Sequence, residues 1–180
     1  MRDLFQLWSS AFTNKQIHKI IECALRQPVQ KVNIFSTEKP MEVIRSSSIR
    51  WLSDEWIKKM LWEYVKKANI NAFNVDVENQ AEIQFTEYTA EQSDHYDWHH
   101  DVHWNGQTDF DRKISITLQL SDPKEYEGGD FEFDEINTNA DFKTKGTLLI
   151  FPSYLRHRVL PVTSGVRRSL VAWFWGTKWK

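Results

Sequence analysis

The amino-terminal part of the chain carries two segments in which apolar residues recur at intervals of three and four, the spacing of one face of an α-helix. The first runs from Asn14 to Arg26, with Asn14 as its predicted N-cap and an apolar stripe of Ile17, Ile20, Ile21, Ala24 and Leu25. The second starts at Ser53-Asp54-Glu55, and its stripe consists of Ile57, Met60, Leu61, Tyr64, Val65 and Ala68. We predict two amphipathic helices, with short strands at Val29 to Phe35 and Val43 to Ile49.

From Ala81 onward the apolar residues alternate with polar ones, which is the period of a β-strand. Turn residues separate the strand-like segments at Gly128-Gly129, Pro152-Ser153 and Ser164-Gly165. The predicted strands are Ala81 to Tyr88, Tyr96 to Val102, Ile114 to Leu120, Asp130 to Phe133, Gly146 to Phe151, Arg158 to Val162 and Val166 to Trp175. Many short strands predict a sandwich or jelly roll, so we expect an α+β fold whose two helices pack on one face of a sheet.

A length of 180 residues favours one domain, 1–180, in which about 1–78 support a jelly-roll core at about 79–176. The net charge of −2 argues against non-specific binding to nucleic acid, because such binding depends on neutralising phosphates with Lys and Arg. A single cysteine, Cys23, permits no internal disulfide. With no secretory signal pattern and no apolar run of membrane-spanning length, we expect a cytoplasmic protein without a membrane partner. Nine tryptophans suggest an aromatic cleft.

Four of the six histidines fall within the segment His95 to His103, together with two aspartates. Imidazole and carboxylate together suit a divalent ion, and two histidines with one carboxylate are typical of non-haem Fe(II) oxygenases. The segment offers the pair His95/Asp97 and the pair His99/Asp101, and its spacing alone does not choose between them. The only histidine beyond His103 is His157, so a distant third ligand must be that residue.

Arg167 lies in a strand-like segment among β-branched residues and a leucine. A guanidinium in apolar surroundings is costly unless paired, and its planar fork suits a carboxylate. The carboxylate could belong to an anionic ligand or to an Asp or Glu of the same chain. Spacing alone favours the second alternative.

Five motifs in order carry a resemblance to a known family. They are Tyr96-Asp97-Trp98-His99-His100-Asp101, Arg112-Lys113-Ile114-Ser115, Tyr126-Glu127-Gly128-Gly129-Asp130-Phe131, Phe151-Pro152-Ser153 through His157, and Pro161-Val162-Thr163-Ser164-Gly165-Val166-Arg167. Between Ala81 and Gly176 the chain resembles the 2-oxoglutarate- and Fe(II)-dependent dioxygenases, and within them the prolyl-4-hydroxylase-like branch with its small bacterial and phage forms. The resemblance implies Fe(II), 2-oxoglutarate and O₂ as cofactors, with ascorbate as a possible reductant.

The resemblance also implies roles for individual residues. It assigns the metal to His99, Asp101 and His157, and the distal carboxylate of 2-oxoglutarate to Arg167. It implies that Tyr88 contacts the same cosubstrate. No side chain beyond the metal ligands is needed as a nucleophile or general base.

Trp173 and Tyr96 resemble aromatic residues that form the wall of the family's substrate pocket. The chain departs from the family at Gln119, where many prolyl hydroxylases carry a tyrosine, so we expect Thr117 or Gln119 to complete the carboxylate pocket. His95, Asp97, His100 and His103 are expected at the rim without a catalytic role, and Gly128-Gly129 is expected to form a turn with positive φ.

The resemblance implies hydroxylation of an unactivated carbon, with proline in a protein or peptide as the expected substrate. One alternative is a non-catalytic jelly roll that binds zinc or nickel. Another is an oxygenase that acts on a free amino acid or on alkylated nucleic acid. Nucleic-acid demethylases usually carry a second arginine six residues after the first, where this chain has Trp173.

Overall fold

The computed structural model describes residues 3–37, 42–102, 104, 106 and 108–180. Within these ranges there are two α-helices, α1 (Asn14–Leu25) and α2 (Glu55–Ala68), the second continued by a π-helical turn at Asn69–Phe73. The strands are β1 (Gln6–Trp8), β2 (Gln30–Phe35), β3 (Val43–Leu52), β4 (Ala81–Thr89), β5 (His95–His99), β6 (Phe110–Gln119), β7 (Tyr126–Gly128), β8 (Phe131–Phe133), β9 (Leu148–Pro152), β10 (His157–Val159) and β11 (Val162–Thr177).

Both predicted helices form, and they bury most of the apolar positions that the spacing indicated, although Leu25 of the predicted stripe is 50 % exposed at the end of α1. Helix α1 buries Ile17, Ile20 and Ala24, and α2 buries Ile57, Leu61, Val65 and Ala68. The predicted N-cap of α1 is wrong, because the cap is Thr13 and not Asn14. Thr13 Oγ1 accepts a hydrogen bond from the Gln16 backbone N–H, and Gln16 Oε1 accepts one from the Thr13 backbone N–H at 2.8 Å. This reciprocal arrangement is a capping box, which a threonine followed three residues later by glutamine signals.

Replacing Thr13 with alanine is expected to lower the free energy of unfolding by about 1 kcal/mol, because the first turn of α1 loses an acceptor for its free N–H groups. The measurement is urea denaturation of the purified protein. Asn14→Ala is the matched control, since Asn14 is exposed and lies one position inside the helix. A larger loss for Asn14→Ala than for Thr13→Ala would show that the cap has been assigned to the wrong residue.

The strands form one antiparallel sheet in the order β1-β9-β6-β11-β4-β3-β5-β10-β8, with β2 paired to β3 and β7 paired to β11. The sheet curls back on itself, because strands far apart in this order meet face to face. The ring of Phe151, in β9, lies 5.7 Å from that of Phe131 and 5.1 Å from that of Phe133, both in β8. The core is therefore a jelly roll of the predicted kind.

Two hydrophobic clusters fill the fold. One joins residues of both helices to the sheet, with Ile17, Ile57, Phe85 and Ile116 among its fully buried members. The other lies inside the curled sheet and consists of Tyr88, Tyr126, Phe131, Phe133, Leu149, Phe151, Val159 and Val162. The second cluster borders the cavity described below, so the same packing that closes the sheet also gives the cavity its apolar walls.

Several predicted strand limits are wrong for physical reasons. Ser164-Gly165 was predicted to end a strand, but it lies within β11, where Gly165 has φ of +70° and the pairing with β7 shifts register. A β-bulge accommodates the glycine without ending the strand. The predicted strand through Val102 ends at His99, because Asp101 leaves the ladder and its N–H bonds to the Ser153 carbonyl at 3.0 Å. Strand β1 was not predicted, since only its pairing with β9 identifies it.

None of the helices in the described ranges combines the length and the apolar character that a membrane crossing requires.

Candidate active site

Pairing between β5 and β10 places His99 directly opposite His157, and Asp101 follows two residues beyond His99. His99 Nε2 lies 3.6 Å from Asp101 Oδ1, and His157 Nε2 lies 3.6 Å from Asp101 Oδ2. One ligand atom from each of the three residues falls within 4.8 Å of the others. Among the described residues this is the one group of three or more His, Cys, Asp or Glu side chains that could hold a metal ion.

Backbone hydrogen bonds fix the orientation of both imidazoles. Nδ1 of His99 lies 2.7 Å from the Asp97 carbonyl oxygen, and Nδ1 of His157 lies 2.9 Å from the Leu155 carbonyl oxygen. Because a carbonyl can only accept, each Nδ1 carries the proton, and each Nε2 keeps its lone pair for the centre of the site. Metal-binding histidines are commonly oriented in this way.

The third group, Asp101, is buried and accepts a 2.6 Å hydrogen bond from Ser115 Oγ. Burial alone would raise the pKa of Asp101, but His157, His99 and the Ser115 hydrogen bond hold that pKa below its ordinary value. Burial, followed by the proximity of His157, lowers the pKa of His99 to about 3, so this imidazole is neutral at neutral pH. The residues therefore fit a divalent cation, because a buried carboxylate facing imidazole lone pairs lacks a positive partner.

Replacing Ser115 with alanine is expected to weaken metal affinity about tenfold, because Asp101 loses the donor that orients its carboxylate. The measurement is a competition titration of the metal against a chelator of known affinity. Ser48→Ala is the matched control, since Ser48 is also a buried serine in the sheet but is not the serine that donates to Asp101. Equal affinities for the two variants would contradict an orienting role for Ser115.

The triad opens into a cavity that Arg167 also lines. Arg167 is 2 % exposed, and its Nη1 has no hydrogen-bond partner. The predicted alternative of an internal ion pair is wrong, because Arg167 takes part in no ion pair with the described acidic residues. A buried guanidinium with a free donor fits an anionic ligand that enters the cavity.

Most of the other predicted site residues also line the cavity. Tyr88 pairs with Arg167 across β4 and β11, and Thr117 lies on the neighbouring strand β6. The ring of Tyr96 stacks on the imidazole of His99 at 3.4 Å between centroids, and Trp173 also lines the cavity. Gln119 differs, because it does not line the cavity and its Nε2 donates to Tyr126 Oη at 2.9 Å.

The structure adds cavity residues that the sequence did not indicate. Arg45 holds its guanidinium 4.6 Å from the ring centroid of Tyr96, and its Nη2 donates to Gln84 Oε1 at 2.9 Å. Gln84 Oε1 also accepts from Thr86 Oγ1 at 3.1 Å. These residues alternate along β3 and β4, but only the pairing of β3 with β5, which sets Arg45 opposite Tyr96, brings Arg45 to the site.

The remaining polar residues of the histidine-rich segment lie outside the triad. The His95 ring nitrogens lie 2.8 Å from the Ser93 carbonyl and 2.9 Å from the Val43 carbonyl. Asp97 Oδ1 accepts from the backbone N–H of Trp98, and His100 Nδ1 lies 2.7 Å from the Tyr154 carbonyl. His103 lies outside the described residues. Elsewhere, Gly128 and Gly129 adopt φ of +72° and +61°, which confirms the predicted positive φ, although Gly128 is the last residue of β7.

A jelly-roll core that presents two histidines and an aspartate to one cavity defines a class, the non-haem metal oxygenase type of site. The family model described as the 2OG-Fe(II) oxygenase superfamily matches residues 83–175, which is more than half of the chain. The chain belongs to this superfamily. Iron(II) and 2-oxoglutarate are the cofactors that the family description names.

Curated relatives match part of the chain. A PKHD-type hydroxylase of Synechococcus sp. (strain CC9311) is 49 % identical over 61 residues, which cover 33 % of this chain and 28 % of the relative. A PKHD-type hydroxylase of Crocosphaera subtropica is 34 % identical over 93 residues, covering 51 % of this chain and 41 % of the relative. The matched segments thus span less than half the length of these relatives.

Solved structures match the chain along nearly its whole length. The viral collagen prolyl hydroxylase vCPH from Paramecium Bursaria Chlorella virus-1, in a 2OG complex, has a TM-score of 0.72 and 17 % identity, with 97 % of each chain covered. A Pseudomonas putida prolyl-4-hydroxylase has a TM-score of 0.71 and 19 % identity, covering 98 % of this chain and 94 % of that one. At such identities the likeness shows a shared fold.

Proposed function

We propose that this protein is an Fe(II)- and 2-oxoglutarate-dependent hydroxylase that acts on proline within a peptide or protein. One observation carries the proposal. A metal-binding triad and a buried arginine with an unpartnered donor line the same cavity. A site that only stored a metal would have no use for the arginine, whose burial is costly without a ligand. Zinc or nickel storage is therefore the weaker alternative.

His99, Asp101 and His157 would hold the iron. Three protein ligands leave the remaining coordination positions for small molecules. Bound together, Fe(II), 2-oxoglutarate and O₂ supply the oxidant that hydroxylates an unactivated carbon while 2-oxoglutarate becomes succinate and carbon dioxide. The protein's own task is to bind, orient and exclude water.

Arg167 would anchor the distal carboxylate of 2-oxoglutarate, with Tyr88 and Thr117 beside it. The guanidinium lies on β11, and its carbon Cζ stands 5.7 Å from the ring centroid of Tyr88. Val159, Val171 and Phe131 also line the cavity and supply apolar walls. Low polarity around the guanidinium strengthens its attraction for a carboxylate, because fewer water molecules compete for the same donors.

The walls near the triad suit a proline-containing segment. Trp173 lines the cavity, and the ring of Trp51, which is 41 % exposed, lies 6.3 Å from it. Flat aromatic surfaces suit the rigid ring of proline in an extended peptide. Arg45 beside Tyr96 offers donors for backbone carbonyls of such a segment. The prolyl hydroxylases among the structural neighbours support this substrate class.

The experiment that tests the function incubates the purified protein with Fe(II), 2-oxoglutarate, O₂ and a panel of extended peptides with and without proline. We expect succinate to form and a proline peptide to gain the mass of one oxygen atom. The matched control is each peptide with its proline replaced by alanine. Succinate without a modified peptide would leave the oxygenase standing and overturn the substrate class. Absence of 2-oxoglutarate turnover with every peptide would overturn the proposed oxygenase activity.

Two further expectations accompany this function. A single domain, 1–180, stays a prediction, and strand β3, which lies before the predicted core at about 79–176, contributes Arg45 to the cavity. A cytoplasmic location stays a prediction, and it is supported by the single cysteine.

A further inference from the structure

Three side chains on neighbouring strands converge behind the cavity. On β11, Gly165 pairs with Tyr126 of β7, and Ser169 pairs with Gln119 of β6. Arg167 lies midway between these two positions. Residues two apart on a strand point to the same face, and paired residues share that face. The register therefore directs the side chains of Tyr126, Arg167 and Gln119 to one side of the sheet.

Close packing fixes the stem of Arg167. A Cβ atom built on Gly129 would lie 2.8 Å from Arg167 Cδ, 3.0 Å from Val162 Cγ2 and 3.5 Å from Tyr126 Cε2. The glycine thus leaves room for the arginine and the tyrosine to lie side by side. Both are almost fully buried, Arg167 at 2 % and Tyr126 at 4 % exposure, so their polar atoms need partners within the protein or a ligand.

The phenol oxygen of Tyr126 is the available partner. Gln119 Nε2 donates to this oxygen at 2.9 Å. Burial raises the pKa of the Tyr126 phenol, and the charge of the nearby Arg167 acts in the opposite direction. A hydroxyl oxygen can accept two hydrogen bonds, and an arginine can only donate. The phenol of Tyr126 therefore lies between the Gln119 amide and the packed stem of Arg167, while Nη1 of Arg167 stays unpartnered.

We infer that Tyr126 and Gln119 are positioning residues for Arg167, and that they hold its free donor toward the distal carboxylate of the cosubstrate. The inference rests on the proposed function and deepens it. Many prolyl hydroxylases have a tyrosine where this chain has Gln119. Here the phenol comes from β7 instead, and Gln119 supports it from the position that the tyrosine would occupy. Neither residue lines the cavity, so both act through Arg167.

The test measures ligand binding by calorimetry on the Mn(II)-loaded protein without O₂, so that no turnover intervenes. Two ligands are compared, 2-oxoglutarate and 2-oxobutyrate, which shares the keto-acid end but lacks the distal carboxylate. Tyr126→Phe is expected to weaken 2-oxoglutarate binding about tenfold, because an oriented charged hydrogen bond is impaired. Binding of 2-oxobutyrate should change less than about twofold, since Arg167 has no carboxylate to hold in that ligand.

Three further variants complete the design. Tyr64→Phe removes a partly buried hydroxyl that donates to the Ala11 carbonyl at 3.0 Å. This control variant should leave the affinities for 2-oxoglutarate and 2-oxobutyrate unchanged. Gln119→Met keeps the side-chain length, and it should weaken 2-oxoglutarate selectively. The double variant Gln119→Met/Tyr126→Phe should bind no more than about twofold more weakly than Tyr126→Phe alone, because both changes break one arrangement.

The outcomes separate this inference from the proposed function. If the unaltered protein binds 2-oxoglutarate no better than 2-oxobutyrate, the carboxylate site and hence both proposals are overturned. If the unaltered protein prefers 2-oxoglutarate and Tyr126→Phe and Gln119→Met keep that preference, the positioning role alone is overturned. Equal losses for both ligands would indicate a general packing role for Tyr126 and would also overturn the inference. Should Tyr126→Phe fail to fold, the same comparison on Gln119→Met decides.

Discussion

Replacing Asp101 with alanine is expected to abolish metal retention and hydroxylation together. Asp101 places one oxygen 3.6 Å from His99 Nε2 and the other 3.6 Å from His157 Nε2, so it is the anionic member of the triad. Without Asp101, no negative charge of the triad would offset the positive charge of a cation bound by the two imidazoles. Since loss of groups that merely orient ligands costs metal sites 10-fold to 100-fold in affinity, loss of a ligand should cost more than about a hundredfold.

Metal content after purification and gel filtration, together with succinate formation, measures the effect. The matched controls are Asp97→Ala and His95→Ala, which alter the other His-x-Asp pair on the same strand. Asp97 Oδ1 accepts only a neighbouring backbone N–H, and both His95 nitrogens face backbone carbonyls, so these variants should retain iron. Equal metal loss from the two pairs would show that the wrong pair has been assigned.

Stability measurements separate loss of the ligand from loss of the fold. Metal-free Asp101→Ala should unfold within about 1 kcal/mol of the metal-free unaltered protein, because the lost Ser115 hydrogen bond is offset by the removal of a buried carboxylate. Added Mn(II) at a hundred times its dissociation constant should stabilise the unaltered protein by about 2.7 kcal/mol. The same metal should leave the Asp101→Ala variant unchanged. A variant that is unfolded without metal would contradict this account.

The choice between the two pairs shows where sequence reasoning reaches its limit. Periodicity offers both pairs equally, because in each pair the histidine and the aspartate are two residues apart. The family resemblance assigns the metal to His99 and Asp101, and the pairing with β10, which sets His157 opposite His99, selects the same pair in the structure. Register between strands distant in sequence depends on the whole curled sheet, and no local pattern contains it.

Local patterns predicted other features well. The apolar stripes of α1 and α2, the alternation in β4 and the positive φ of Gly128-Gly129 depend on residues close in sequence, and all of these are present. Failures arose where a distant partner decides the outcome. Ser164-Gly165 is a bulge and not a strand end, since β7 continues to pair with β11 there. The sequence also did not predict Arg45 in the cavity, because only the pairing of β3 with β5 sets Arg45 opposite Tyr96.

The partners of Arg167 also depend on strands that are distant in sequence. Spacing favours an internal ion pair, yet the neighbouring strands bring Tyr88, Gln119 and Tyr126 toward Arg167, and among the described residues no carboxylate forms an ion pair with it. The acidic residue Glu87, one position from Tyr88 on β4, instead accepts a hydrogen bond from Arg168 Nε at 3.0 Å and also forms an ion pair with Arg50. Alternation along β11 and β4 therefore places Arg168 beside Glu87 and places Arg167 on the face that lines the cavity.

Replacing Arg167 with leucine is the second change with a large expected effect, a rise of about a hundredfold or more in the KM for 2-oxoglutarate. Arginine can bind a carboxylate through two parallel hydrogen bonds, and each such bond to a charged group contributes about 1.5–3 kcal/mol. Two lost bonds correspond to at least about 3 kcal/mol, which exceeds a hundredfold in affinity. The metal triad is untouched, so iron content should stay equal to that of the unaltered protein.

Arg168→Leu is the matched control for this prediction. It removes the adjacent guanidinium, which is partly exposed and pairs with Glu87, and it should change the KM less than about twofold. Arg167→Lys should fall between the two, with a loss of about tenfold, because lysine keeps the charge but lacks the planar fork. A bidentate carboxylate anchor requires the KM to be highest for Arg167→Leu, intermediate for Arg167→Lys and lowest for the unaltered protein, at constant iron content. A larger effect at Arg168 than at Arg167 would move the anchor by one residue and place it on the opposite face of β11, away from the triad.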